Sequence, residues 1–179
     1  MDKSTGFRVD PKLLAVGGDS AGGNLAAVVS IMARGMALPK PCHQWLIYPN
    51  TDMSHPASAP AGGSIERFAE GYFLTRKGLI WIQDLYLSSE EDRLDWRASP
   101  LKAGDLSGVP PAFIQTAGFD PLKDEGTTYA KRLRDAGVRT SLVNYPGMIH
   151  GFIRGLGAID VAQTAMDDGV SALKNAFEI

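Results

Sequence analysis

Ser20 stands in Gly18-Asp19-Ser20-Ala21-Gly22, after the apolar run Leu13-Leu14-Ala15-Val16 and before the apolar stretch from Asn24 to Ala33. The order strand, sharp turn, helix puts a serine where it can act as a nucleophile. A chain that turns from strand to helix within one residue holds that residue in strained backbone angles and lifts its hydroxyl clear of the sheet. The crowding predicts that Gly18 and Gly22 must both lack side chains. The turn also leaves the Ala21 N–H at a helix N-terminus, outside the helical ladder, where it can face a developing oxyanion. Residue types and spacing therefore point to acyl transfer.

A serine nucleophile needs a base and a group that orients the base. All three histidines, His43, His55 and His150, follow Ser20. This excludes the chymotrypsin and subtilisin orders, in which a histidine precedes the serine, and leaves Ser…Asp…His. His150 follows a strand-like run, Ser141 to Tyr145, and Pro146-Gly147, and is the expected base. His43 opens the apolar run Gln44 to Tyr48 and reads as a structural residue at a strand end. His55 sits in a loop rich in Pro, Ser and Ala and reads as solvated. Ligand sites of parallel sheets gather at the C-terminal ends of strands. Asp120, just past the run Ala112 to Ala117, is thus the expected orienting acid, with Asp124 second. Asp124 and Glu125 otherwise read as an acidic first turn favourable to the helix dipole, and Asp19 reads as structural.

Four short apolar runs near 13–17, 44–48, 112–117 and 141–145 have the pattern of strands buried on both faces of a parallel sheet. Helices are expected at about 21–34, 124–136 and 157–177. In the last, Ile159, Ala162, Met166, Val170, Leu173 and Phe177 form one apolar stripe against the sheet. Residues 50–98 differ: a loop-like first part containing Gly62-Gly63, then Thr75 to Leu87 with Leu79, Ile82, Leu85 and Tyr86 at helical spacing. The 179 residues suffice for one domain with a real core. Eighteen Lys and Arg against 20 Asp and Glu give a net charge of −2, so there is no basic footprint for nucleic acid. No apolar run is long enough to span a bilayer, and the first residues lack the apolar core of a signal peptide. One cysteine, Cys42, excludes an internal disulfide and fits a reducing, cytoplasmic compartment. It reads as a small hydrophobe beside a strand.

Together, Gly17 to Asn24, Asp120-Pro121-Leu122-Lys123-Asp124-Glu125 and His150-Gly151-Phe152 resemble the hormone-sensitive lipase group of α/β-hydrolase carboxylesterases. Tyr48-Pro49, Gly71 to Thr75 and Ser99-Pro100-Leu101 agree with it. The resemblance implies Ser20 as nucleophile, Asp120 as acid, His150 as base and the Ala21 N–H as an oxyanion donor. It also implies a small-molecule ester substrate, usually with a short acyl chain, and no metal or organic cofactor. That group carries a His-Gly-Gly-Gly loop well before the nucleophile, whose N–H groups complete the oxyanion hole. No such sequence occurs here, and 19 residues precede Ser20. The chain thus resembles the C-terminal part of such an enzyme, with low activity expected.

The expected architecture is a partial α/β-hydrolase fold: a mostly parallel sheet of about four strands, flanked by helices, with a small helical lid. Residues 1–49 would hold the nucleophile strand, elbow and helix; 50–98 the lid; 99–179 the rest of one catalytic domain. Phe68, Phe73, Trp81 and Tyr86 either pack as core of the lid helix or face an acyl pocket. The strand at 13–17 would be an apolar edge prone to self-association. Two other functions stay open at this point: a peptidase or acyltransferase on the same fold, and an inert hydrolase serving as a binding module.

Overall fold

The computed structural model describes residues 10–37, 39–54 and 61–178. His55 lies outside them. Four parallel strands make one sheet in the order β1-β2-β3-β4: β1 Ala15–Asp19, β2 His43–Ile47, β3 Ala112–Phe119 and β4 Thr140–Ile149. Sequence neighbours are spatial neighbours, each joined by a crossover through helix or loop. α1 (Ala21–Arg34) follows β1, α4 (Lys123–Asp135) follows β3, and α5 (Asp160–Phe177) follows β4. Between β2 and β3 lie α2 (Ser64–Arg67), α3 (Arg76–Tyr86) and two short 3₁₀ turns, Glu91–Leu94 and Pro100–Lys102.

Burial on both faces holds for the two central strands only. β2 and β3 are almost wholly buried, whereas β1 and β4 are largely half-buried or exposed. The reason is position: β1 and β4 form the two edges of the sheet. Leu13 and Leu14 stand outside β1, 45% and 39% exposed.

Two cores cover the sheet. Ala27, Ile31, Leu46, Ile114, Tyr129, Ala130 and Leu133 join α1 and α4 to one face. Ile47, Ala117, Tyr145, Phe152, Ala162 and Ala165 join α5 to the other. The expected stripe on α5 is displaced. Its buried positions are Ala162, Ala165 and Gly169, while Val170 is exposed. The cause is Trp45, whose indole lies where a Cβ on Gly169 would stand, 1.8 Å from Cζ2. Small residues let α5 sit down on that ring, and the indole N–H donates to Gln115 Oε1 at 2.7 Å.

The apolar spacing of α3 does not face a core either. Only Leu79 and Gln83 are buried; Trp81, Ile82, Leu85 and Tyr86 are exposed. Core packing is therefore excluded for Trp81 and Tyr86. What anchors this region is polar: buried Arg93 donates to Asp84, to Glu90 at 2.8 Å and to Gln83 Oε1 at 3.1 Å. Among the described residues, no helix is long and apolar enough to cross a membrane.

Candidate functional site

Ser20 is the single residue between β1 and α1, and its backbone sits at φ 55°, ψ −115°. A side-chain-bearing residue rarely adopts a positive φ, and such strain persists only where surrounding contacts enforce it. They do so here. The Ser20 N–H donates to Ile47 O at 2.8 Å, and its carbonyl accepts from Asn24 N at 3.0 Å and Asn50 N at 3.3 Å. A Cβ on Gly18 would fall 2.5 Å from the Gly22 carbonyl carbon, and one on Gly23 would fall 2.9 Å from Pro49 Cβ. Gly22 itself has open space where a Cβ would go. The tight pair is thus Gly18 and Gly23, not Gly18 and Gly22. The helix backbone at Gly22 presses on Gly18, whereas the hydrogen on Gly22 that a Cβ would replace points away from that contact.

The three expected site residues are brought together. His150 Nε2 lies 2.9 Å from Ser20 Oγ, and His150 Nδ1 lies 2.7 Å from Asp120 Oδ2. Asp120 is fully buried and His150 is 4% exposed. The other carboxylate oxygen, Asp120 Oδ1, accepts from Leu122 N at 2.9 Å, which fixes the carboxylate plane. The Tyr48 ring lies against the imidazole with centroids 4.6 Å apart, and its hydroxyl donates to Asp19 Oδ2 at 3.3 Å. Asp19 is therefore occupied away from the base. Burial and the neighbouring Asp19 carboxylate push the Tyr48 hydroxyl well above its ordinary range. It stays neutral beside the imidazole.

How residues from the two edges of the sheet meet needs an explanation. Ser20 follows β1 and His150 follows β4, three strand spacings apart, or roughly 14 Å at about 4.8 Å each. The β3–β4 ladder supplies it. Ala117 pairs with Tyr145, but Phe119 pairs with Ile149, so β4 carries two extra residues there. A Cβ on Gly118 would fall 2.0 Å from Pro146 O, so only glycine admits that close approach. Such an irregularity bends its strand, and His150, just past the end of β4, lies within 2.9 Å of Ser20 Oγ.

Sequence reasoning missed several buried polar groups at the site. Asn24, 1% exposed, donates to Asn50 O and Ala98 O, both at 2.7 Å. Its signal in the sequence was its place at the end of the Gly17-to-Asn24 stretch, in the first turn of α1. Asp124 and Glu125 do lie in the first turn of α4, Asp124 exposed and Glu125 half-buried, and each also binds a group from another element. Asp124 Oδ2 accepts from Ser64 N at 2.7 Å, and Ser64 Oγ accepts in return from Asp124 N at 3.0 Å, so the first turns of α2 and α4 cap each other. Glu125 Oε1 accepts from Asn50 Nδ2, Thr51 N and Asp52 N at 2.8, 2.5 and 3.2 Å. Burial outweighs these donors and pushes the Glu125 carboxyl up to about 8. His43 is buried at the start of β2, its pKa lowered by burial and by Arg139. It lies at the opposite end of the strands from Ser20. Cys42 is a half-buried free thiol just before β2. Among the described residues, no cluster of His, Cys, Asp and Glu could hold a metal.

A buried Asp–His pair aimed at a strained serine on a strand-to-helix turn is a fold-specific arrangement. Residues 2–154 match the family model of the alpha/beta hydrolase fold. The chain belongs to that family. Within it the chain falls in the hormone-sensitive lipase group of carboxylesterases. It is 46% identical over 152 residues to the carboxylic ester hydrolase LipN of Mycobacterium tuberculosis, covering 82% of this chain and 39% of LipN. It is 37% identical to an ethyl acetate hydrolase of Pseudomonas putida, covering 97% and 54%. Among solved structures, the thermophilic carboxylesterase EstE1 from a metagenomic library superposes with a TM-score of 0.88 at 40% identity, covering 94% of this chain and 56% of that one. A hyperthermophilic esterase from Pyrobaculum calidifontis gives 0.87 at 39%. This α/β-hydrolase chain spans about half the length of the relatives it matches, or less.

Proposed function

We propose that the chain carries the catalytic residues of a carboxylic ester hydrolase that works through an acyl-enzyme on short-chain esters. The support is the contact series Ser20 Oγ, His150 Nε2, His150 Nδ1, Asp120 Oδ2 at 2.9 and 2.7 Å. In this mechanism His150 takes the Ser20 proton as Oγ bonds to the ester carbonyl carbon, and the carbonyl oxygen becomes an oxyanion. The Ala21 N–H, first in α1 and outside the helical ladder, donates to it. The C–O bond to the alcohol then breaks, and the alcohol leaves with the proton from His150. Water, deprotonated by His150, adds to the acyl carbon; the bond to Ser20 Oγ then breaks, His150 returns the proton to Oγ, and the acid leaves. Asp120 holds the imidazole in the tautomer with Nδ1–H and stabilises the imidazolium without taking its proton. The reaction calls for no metal or organic cofactor. Residues 50–98 form the lid in this reading. Phe68, Tyr72 and Phe119, with centroids 5.2 to 5.6 Å apart, gather beside the Asp120 loop as a wall for the acyl group.

The 179 residues hold no His-Gly-Gly-Gly loop, and removing one oxyanion donor costs about 10²–10³ in turnover. Turnover by this chain alone is therefore expected well below that of an intact esterase. Fluorophosphonate labelling tests the nucleophile without requiring turnover. Labelling that maps to Ser20 and disappears in Ser20→Ala is expected; no labelling of the folded chain overturns the proposal. With one cysteine and so no internal disulfide, the chain fits a reducing, cytoplasmic compartment in this reading. Among the described residues β1 is an edge strand, and the exposed Leu13 and Leu14 before it and Leu25, Val29 and Met32 on α1 suit self-association.

A further inference from the structure

The segment from Asp120 to Glu125 carries three carboxylates with three different partners. Asp120 meets His150, Asp124 meets Ser64 of α2, and Glu125 reaches the loop after β2. The ester-hydrolase chemistry uses neither of the last two contacts, and of these the Glu125 contact is the one that leads to the elbow. Glu125 Oε1 gathers Asn50 Nδ2, Thr51 N and Asp52 N, converging three donors on one atom. Asn50 in turn holds the elbow from two sides. Its N–H donates to the Ser20 carbonyl at 3.3 Å, and its own carbonyl accepts from Asn24 Nδ2 at 2.7 Å. Two residues before Glu125, Lys123 N donates to the Asp120 carbonyl at 3.1 Å, so Glu125 belongs to the same rigid turn as the acid. Ser20 and Asp120 are 100 residues apart in sequence, and β1 and β3 are not neighbours in the sheet.

We propose that Glu125 is a positioning residue that fixes the nucleophile elbow relative to the Asp120 turn, acting through the Asn50–Asp52 loop. This rests on the hydrolase reading of Ser20, Asp120 and His150. The acceptor oxygen carries the role: a carboxamide presents the same oxygen, a methyl group presents none, and the shorter Asp withdraws it by one methylene. An elbow shifted by even 1 Å loses about 10²-fold in reactivity.

The test compares Glu125→Gln, Glu125→Asp and Glu125→Ala by two readouts. Amide hydrogen exchange is followed at Asn50, Thr51 and Asp52 and at Asn24, whose N–H also binds the Ser20 carbonyl. Fluorophosphonate labelling rates at Ser20 are measured beside Leu133→Ala, a core variant of α4 that supplies a thermal shift without touching the loop. Expected are faster exchange at Asn50 and Asn24 in the Ala variant, labelling at least about tenfold slower, near-wild-type behaviour in Gln, and an unchanged labelling rate in Leu133→Ala. Exchange that opens only at Thr51 and Asp52 while Asn50 and Asn24 stay protected overturns the inference, as does a Gln variant as impaired as Ala. A wild-type chain that does not label counts against the nucleophile assignment; the exchange readout then still decides the role of Glu125.

Discussion

Asn24 is a buried polar side chain at the elbow that takes no part in the proposed reaction. Its two amide hydrogens go to the carbonyls of Asn50 and Ala98, both at 2.7 Å, in a site that is 1% exposed. Truncation to alanine leaves two buried acceptors without donors, and each unsatisfied group costs about 1–3 kcal/mol. With some relief from water entering the vacated space, the expected loss is about 3 kcal/mol. For a chain of this size that corresponds to a fall in Tm of roughly 6–12 °C. Asn24→Asp is the sharper perturbation, because it is nearly isosteric. At neutral pH it sets a carboxylate against two carbonyl oxygens; protonated, it can donate to one of them. Its destabilisation should therefore exceed that of alanine at pH 7.5 and shrink at pH 5. Urea titrations followed by circular dichroism at both pH values measure this. An alanine variant within about 0.5 kcal/mol of wild type, or an aspartate variant indifferent to pH, would refute the view that these two hydrogen bonds hold the elbow.

Glu125 makes stability depend on pH with a definite sign. Its pKa is raised from 4.5 to about 8 in the folded chain, so between those values the folded state keeps a proton that the unfolded state releases. Stability from this group is full below about pH 4.5, declines as pH rises to about 8, and is flat beyond. Glu125→Gln should flatten the decline in Tm measured from pH 5 to 8.5. Gly169→Ala drives a Cβ into the Trp45 indole, so a lower Tm and altered tryptophan fluorescence are expected; an unchanged spectrum would contradict the seating of α5 on that ring. Leu25→Lys on the exposed face of α1 should shift elution in size-exclusion chromatography toward monomer; an unchanged elution volume would contradict self-association through that face. Ser64→Ala breaks the reciprocal cap with Asp124 and should raise protease sensitivity near residues 61–75, read by limited proteolysis, with β3 and β4 unaffected.

Much of this molecule was readable from periodicity. The four runs are the four strands, α1 matches the expected 21–34, and α4 and α5 fall within a few residues of expectation, because apolar crossover elements leave a clear mark. The meeting of Ser20, Asp120 and His150 was readable for another reason: chain order and turn chemistry leave few serine, aspartate and histidine combinations. What stayed hidden was relational. Nothing in Asp124 or Glu125 distinguishes a solvated acid from one that accepts from a distant loop; only the fold brings Asn50 and Ser64 near. The displaced face of α5 was hidden likewise, because Gly169 looks like a weak helix residue until Trp45 is seen beneath it. On α3, helical spacing was genuine, yet periodicity does not say whether anything lies opposite the apolar face.

The width of the sheet has a consequence for how reactivity arises. Because the serine follows one border strand and the imidazole the other, no pair of adjacent strands contains the reactive couple. On the proposed reading, a chain in which either border strand is undocked holds an idle hydroxyl. A covalent probe of the serine would then double as a census of molecules in which both borders of the sheet are in place.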